Sequence, residues 1–166
     1  MRAGILTIMC LFHMCVGAAV PSLTQIRELY YRANENKKAA DRFYTTMQAV
    51  DDREQPLLTC YKGMAAIMRV KYGIEPFSRL AGFQKGKGLV EQAVGQAPAN
   101  VEVRFLRFCV QSQVPRILMY SSDMAADRTF ILQAYPQLAD NDLRKRIKEY
   151  MLRYGDLTPN EKRYLQ

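Results

Sequence analysis

The 166 residues contain one histidine, His13, and no tryptophan. His13 lies in an apolar run from Ile5 to Val16 that follows Arg2 and ends on Gly17, Ala18 and Ala19. A short cationic start, an apolar stretch and small residues for cleavage make the pattern of a secretory signal peptide. The run is too short to span a bilayer comfortably, and Pro21 and Ser22 follow it. Residues 1–19 are therefore expected to be a leader, and residues 20–166 a single helical domain, periplasmic or secreted. Losing the leader removes the only histidine. Ser-His-acid triads, Cys-His pairs and imidazole metal ligands are then excluded.

Cysteine is nearly as scarce. Cys10 and Cys15 leave with the leader, and Cys60 and Cys109 remain, each among apolar residues of a predicted helix. They read as two buried thiols or, in an oxidising compartment, as one disulfide; sequence does not supply the Cα separation that decides. Stretches alternating with period two are also missing, which excludes a sheet and leaves an all-α chain.

Hydrophobic residues make up 49% and charged residues 24%, a globular composition. The formal net charge of +8 favours acidic or anionic partners, while export argues against nucleic acid. The segment from Pro98 to Val114 organises the rest. Asn100 suits an N-cap; Val101, Phe105, Phe108 and Cys109 make one apolar face, and Val103, Leu106 and Val110 another. A helix apolar on both sides needs neighbours on both sides.

Around it the spacing predicts further helices. Ser22 and Gln25 form a capping box before Ile26, Leu29, Tyr30 and Ala33. Ala40, Phe43, Tyr44 and Met47 repeat the period, and Pro56 opens a third helix whose Gly63 admits a close neighbour. Pro76 opens a fourth, expected to bury Phe77, Leu80, Phe83, Val90, Ala93 and Val94. Its Lys85 and Lys87 lie among glycines without the phosphate-loop pattern. Ser122 is expected to cap the next helix, and Asp140 or Asn141 to open one that buries Leu143, Ile147, Tyr150, Met151 and Tyr154 before Gly155 ends it.

From Gly86 to Phe105, GKGLVEQAVGQAPANVEVRF resembles the tetratricopeptide pattern, with Gly86, Val90, Ala93 and Pro98 on its small, bulky, small and proline positions. The next helix departs from that pattern at Arg104, Arg107 and Phe108. The resemblance implies antiparallel helical hairpins stacked as a short tetratricopeptide-like array or an irregular helical bundle. Tyr61-Lys62-Gly63, GKGLVEQAVGQAPANVEVRFLR and Asp127 to Leu132 are also similar to an uncharacterised family of small exported bacterial helical proteins. That likeness implies a bacterial origin and no chemistry.

The polar stripe of the central helix carries Arg104, Arg107 and Gln111, and with Asp127 and Arg128 these are the candidate binding residues. Two forked donors on one face suit a carboxylate or phosphate ligand. They equally suit internal counter-charges from Glu91, Asp123 or Asp127. Asp123 and Asp127 at i and i+4 have the spacing of paired acids or of oxygen ligands for a metal, but a first-turn position and the neighbouring Arg128 explain them more simply. No catalytic residue, metal or cofactor is assigned. Arg144, Lys145, Arg146 and Lys148 form the strongest basic patch, suited to weak contact with an anionic membrane surface or to solvent. The expectation is a non-enzymatic module that binds a protein or peptide of the cell envelope in a groove between helices; the rival is a small anion carrier or enzyme using Arg104 and Arg107.

Overall fold

The computed structural model describes residues 21–53 and 55–166, so the leader assigned to residues 1–19 lies outside it. The described residues form α-helices and 3-10 turns and no strand. The helices are α1 (Leu23–Arg32), α2 (Lys37–Gln48), α3 (Pro56–Lys71), α4 (Pro76–Gln96), α5 (Val101–Gln111), α6 (Met124–Ala134), α7 (Asn141–Tyr154) and α8 (Pro159–Lys162). Consecutive helices from α1 to α6 pack on their neighbours, and a 3-10 turn at Arg116–Leu118 lies between α5 and α6 along the chain. The result is a stacked, irregular helical bundle.

Most boundaries follow from local chemistry. The Ser22–Gln25 capping box forms at α1, and Thr158 and Glu161 form a second at α8. The Asn100 side chain accepts from the backbone N–H groups of Glu102 and Val103, at 3.0 and 3.1 Å. Asp140 accepts from Leu143 at 3.0 Å to start α7. Ser122 does not cap α6. Its hydroxyl turns to the carboxylate of Asp123, which holds the N-cap position without a side-chain cap bond.

α5 separates two cores. Val103, Leu106 and Val110 pack with Ile26, Phe43, Tyr61, Met64 and Val90 on one side. Phe105, Phe108 and Cys109 pack with Ile131, Tyr135, Ile147, Met151 and Leu165 on the other. The two apolar faces read from the sequence are thus each covered by a different group of helices. Cys60 belongs to the first core and Cys109 to the second; both are buried free thiols, and burial pushes both thiol pKa values up.

The tightest helix contact is α3 against α4. A Cβ at Gly63 would stand 2.6 Å from the carbonyl oxygen of Gly86, and one at Gly86 would stand 2.7 Å from that of Gly63. The crossing therefore requires two glycines, one from each helix. Gly155 ends α7 as expected, but with φ −77°; Asp156 takes the left-handed conformation at φ 47°. Gly155 is needed for space, because a Cβ there would lie 2.5 Å from the carbonyl oxygen of Met151.

Three residues expected in the core are outside it: Phe77 is 83% exposed, Leu80 46% and Tyr154 39%. Helical spacing marks which residues share a face, and no helix among the described residues covers this part of α4 or the end of α7.

Candidate functional site

Helix α5 aims Arg104 and Arg107 at α6. The Arg107 fork donates to both oxygens of Asp127, Nε to Oδ2 at 2.7 Å and Nη2 to Oδ1 at 2.9 Å. Its remaining nitrogen reaches Glu91 on α4 at 2.9 Å. Arg104 also closes on Asp127, and its guanidinium lies over the Phe130 ring, 4.9 Å from the centroid. Asp127 is 0% exposed. Tyr120 donates to the other oxygen of Glu91, and Asp123 stands 3.9 Å from Arg107. The hydrogen bond to Asp127 raises the Arg107 pKa, so this fork stays charged.

All three acids weighed as counter-charges therefore converge on Arg107. Arg107 presents no vacant fork and joins α4, α5 and α6, whereas Arg104 meets Asp127 by ion contact without a hydrogen bond from its Nε. Gln111, next on the stripe, is buried, and neither amide atom has a hydrogen-bond partner among the described residues. Arg128 points elsewhere. One guanidinium nitrogen donates to the carbonyls of Gly155 and Asp156 at 3.3 and 3.2 Å, and its Nε lies 3.5 Å from Glu161. It holds the left-handed link between α7 and α8.

A second ion network crosses the molecule between elements far apart in sequence. Arg27 on α1 is 3% exposed and donates Nε and Nη2 to the two oxygens of Glu102, each at 2.7 Å. The Tyr61 hydroxyl donates to the same carboxylate at 2.6 Å. Asp140 and Asp142 at the start of α7 approach Arg27 to 2.8 and 3.2 Å. Bonding to Glu102 raises the Arg27 pKa, and burial together with the Glu102 charge pushes the Tyr61 phenol well above its usual value. Sequence reasoning missed this site. Its one signal was Glu102 itself, an acid sharing a helical face with Phe105, Leu106 and Cys109.

A concavity lies apart from Arg107 and meets the Arg27 network at Arg146, which also pairs with Asp142. A groove of about 990 Å³ runs between the α3–α4 pair and α7, with residues of α1 and α5 also lining it. Met64, Met68, Phe83 and Val110 line it with buried apolar surface, and Leu80, Ile117 and Tyr154 line it with exposed surface. Ile117, on the 3-10 turn after α5, is 87% exposed. Lys71, Arg79, Arg146 and Arg153 also line the groove, against one acid, Glu149. Arg146 is paired with Asp142 and Glu28. Lys71 reaches the Asn34 side chain, and Arg153 lies over the Tyr154 ring. No described carboxylate lies within ion-pair distance of Lys71, Arg79 or Arg153.

The basic run on α7 is divided. Arg144 donates to the carbonyls of Pro136 and Leu138 and stacks on Tyr135, and Arg146 stacks on Tyr31. Lys145 and Lys148 remain exposed. Among the described residues no cluster of His, Cys, Asp and Glu could hold a metal, and no helix is long and apolar enough to cross a membrane. No protein-family model, curated protein or solved structure matches the chain.

Proposed function

We propose that this chain is an exported, non-enzymatic helical module that holds a segment of another protein of the cell envelope in the groove between the α3–α4 pair and α7. The observation that carries the reading is the groove itself: a concavity of about 990 Å³ with buried apolar walls and a rim of exposed Leu80, Ile117 and Tyr154. Solvent-facing apolar side chains gathered around a cleft mark a binding surface more than scattered ones do. Export rests on the sequence from Arg2 to Ala19, and the non-enzymatic reading on the lack of histidine after His13. The rival anion site loses support from the geometry, since Arg104 and Arg107 both face Asp127. Lys145 and Lys148 provide for a weak contact with an anionic membrane surface.

Selection from a random-peptide display library tests the reading. The full chain, processed as the producing cell processes it, is compared with a Leu80→Asp/Ile117→Asp variant, whose substitutions sit on exposed positions and leave the cores intact. Peptides should be enriched on the native chain and lost on the variant. Equal retention by both proteins, or no enrichment, would refute groove binding.

A further inference from the structure

Resting on that reading, we infer that the groove's occupant is an acidic amphipathic helix of a partner protein. The conformation follows from the lining. An extended peptide needs partners for its backbone N–H and C=O groups, as an exposed strand edge would supply. The described residues offer no strand, and the groove's surface is more apolar than polar, with Met64, Ile67, Met68, Phe83, Val110 and Leu118 among its lining residues. A helix satisfies its own backbone and needs only an apolar face, with anchors at i, i+3, i+4 and i+7. The size agrees: at 1.5 Å rise and 10–12 Å width, about 990 Å³ corresponds to roughly seven residues, or two turns.

The sign follows from the rim. Four cations and one acid line the groove, and Lys71, Arg79 and Arg153 have no carboxylate partner among the described residues. Lys71 and Arg79 belong to the α3–α4 side, and Arg153 to α7. A ligand helix with an apolar stripe flanked by Glu or Asp would bury the stripe and place carboxylates beside these cations. Such complementarity governs partner choice and association rate. The chain's own first twenty residues are the poorer occupant, because they carry Arg2 and no acid.

The test reads the charge of the peptides enriched on the full chain from a library long enough for about four helical turns. The expected pool has Asp and Glu in excess of Lys and Arg and bulky residues at i, i+3 or i+4 and i+7. Synthetic copies, followed by fluorescence anisotropy, should bind the Lys71→Glu/Arg79→Glu/Arg153→Glu chain about tenfold or more weakly, and added salt should weaken native binding. All three substitutions are exposed, so folding is retained, and circular dichroism checks it.

A neutral or basic pool overturns the acidic assignment while groove binding stands. An acidic pool without helical spacing overturns the helical one. If nothing is enriched over the Leu80→Asp/Ile117→Asp variant, both the inference and the peptide-binding reading fail. Retention of the native chain but not the triple variant by phosphatidylcholine–phosphatidylglycerol vesicles, with no peptide enriched, overturns the inference in favour of a lipid surface.

Discussion

The two ion networks have similar inventories and opposite arrangements. Each is built on two arginines: Arg27 and Arg146 with four carboxylates, Glu102, Asp140, Asp142 and Glu28; Arg104 and Arg107 with three, Asp127, Glu91 and Asp123. In both, the most buried acid sits in the first turn of a helix, where the helix dipole favours negative charge. Glu102, however, has one arginine and a tyrosine hydroxyl, whereas Asp127 has two arginines. The outer acids Asp140 and Asp142 gather around Arg27, so that arginine keeps partners even without Glu102. Among the described carboxylates Arg104 has only Asp127. A buried charge is costly when it loses its last partner, so the second network should be the more fragile.

Isosteric neutralisation gives the largest separation. Asp127→Asn leaves Arg104 without a described carboxylate and Arg107 with only its contacts to Glu91 and Asp123. The expected loss is about 3–5 kcal/mol in urea unfolding. Glu102→Gln leaves Arg27 with Asp140 and Asp142 and keeps an acceptor for Tyr61, for a loss of about 1–3 kcal/mol. The reverse order would mean that the number of arginines around the buried acid does not set its importance.

The tyrosines sharpen the same contrast at lower cost. Tyr61→Phe removes a hydroxyl bonded to buried Glu102 and should destabilise by about 1–2 kcal/mol, toward the lower end of what a hydrogen bond to a charged group contributes. Tyr120→Phe removes one bonded to Glu91, whose side chain is 36% exposed and free to recruit water. Its effect should stay below about 1 kcal/mol. Arg104→Gln falls between them, near about 1 kcal/mol, because Arg107 already occupies both Asp127 oxygens. A loss as large as that of Asp127→Asn would show instead that Arg104 is the dominant partner.

These networks also show what the sequence can disclose. Arg104 and Arg107 were readable because i and i+3 on an apolar helix isolate them, and Asp127 lies only 20 positions from Arg107. Arg27 and Glu102 are 75 positions apart; Arg27 looks locally like an ordinary solvated charge, and the apolar face that Glu102 shares does not name its partner. The central role of α5 was legible because its two apolar faces require two sets of neighbours, and the two cores meet that requirement. The groove was not legible at Leu80 and Tyr154. Periodicity groups side chains on a face but does not say whether another helix covers it, and here tertiary packing leaves that face open.

The smallest effect concerns the outer carboxylates and is read through pH. Asp140 and Asp123 both have lowered pKa values, but for different reasons: the bond to Arg27 leads at Asp140, and the Ser122 hydroxyl leads at Asp123. A carboxyl with a lowered native pKa binds fewer protons when folded than when unfolded, so its stabilisation is present above the unfolded value near pH 4. It is lost as the pH falls through the lower native value. Both side chains are more than a third exposed, so screening should hold each contribution below about 1 kcal/mol. Asp140→Asn keeps an N-cap acceptor for Leu143 while removing the charge beside Arg27, and should flatten the fall of stability below about pH 4. Ser122→Ala should raise the Asp123 pKa and leave Asp140 unchanged when both carboxyl carbons are titrated by NMR. If Ser122→Ala leaves Asp123 low, Arg107 rather than the hydroxyl holds that carboxylate, and the two networks are more alike at their rims than in their interiors.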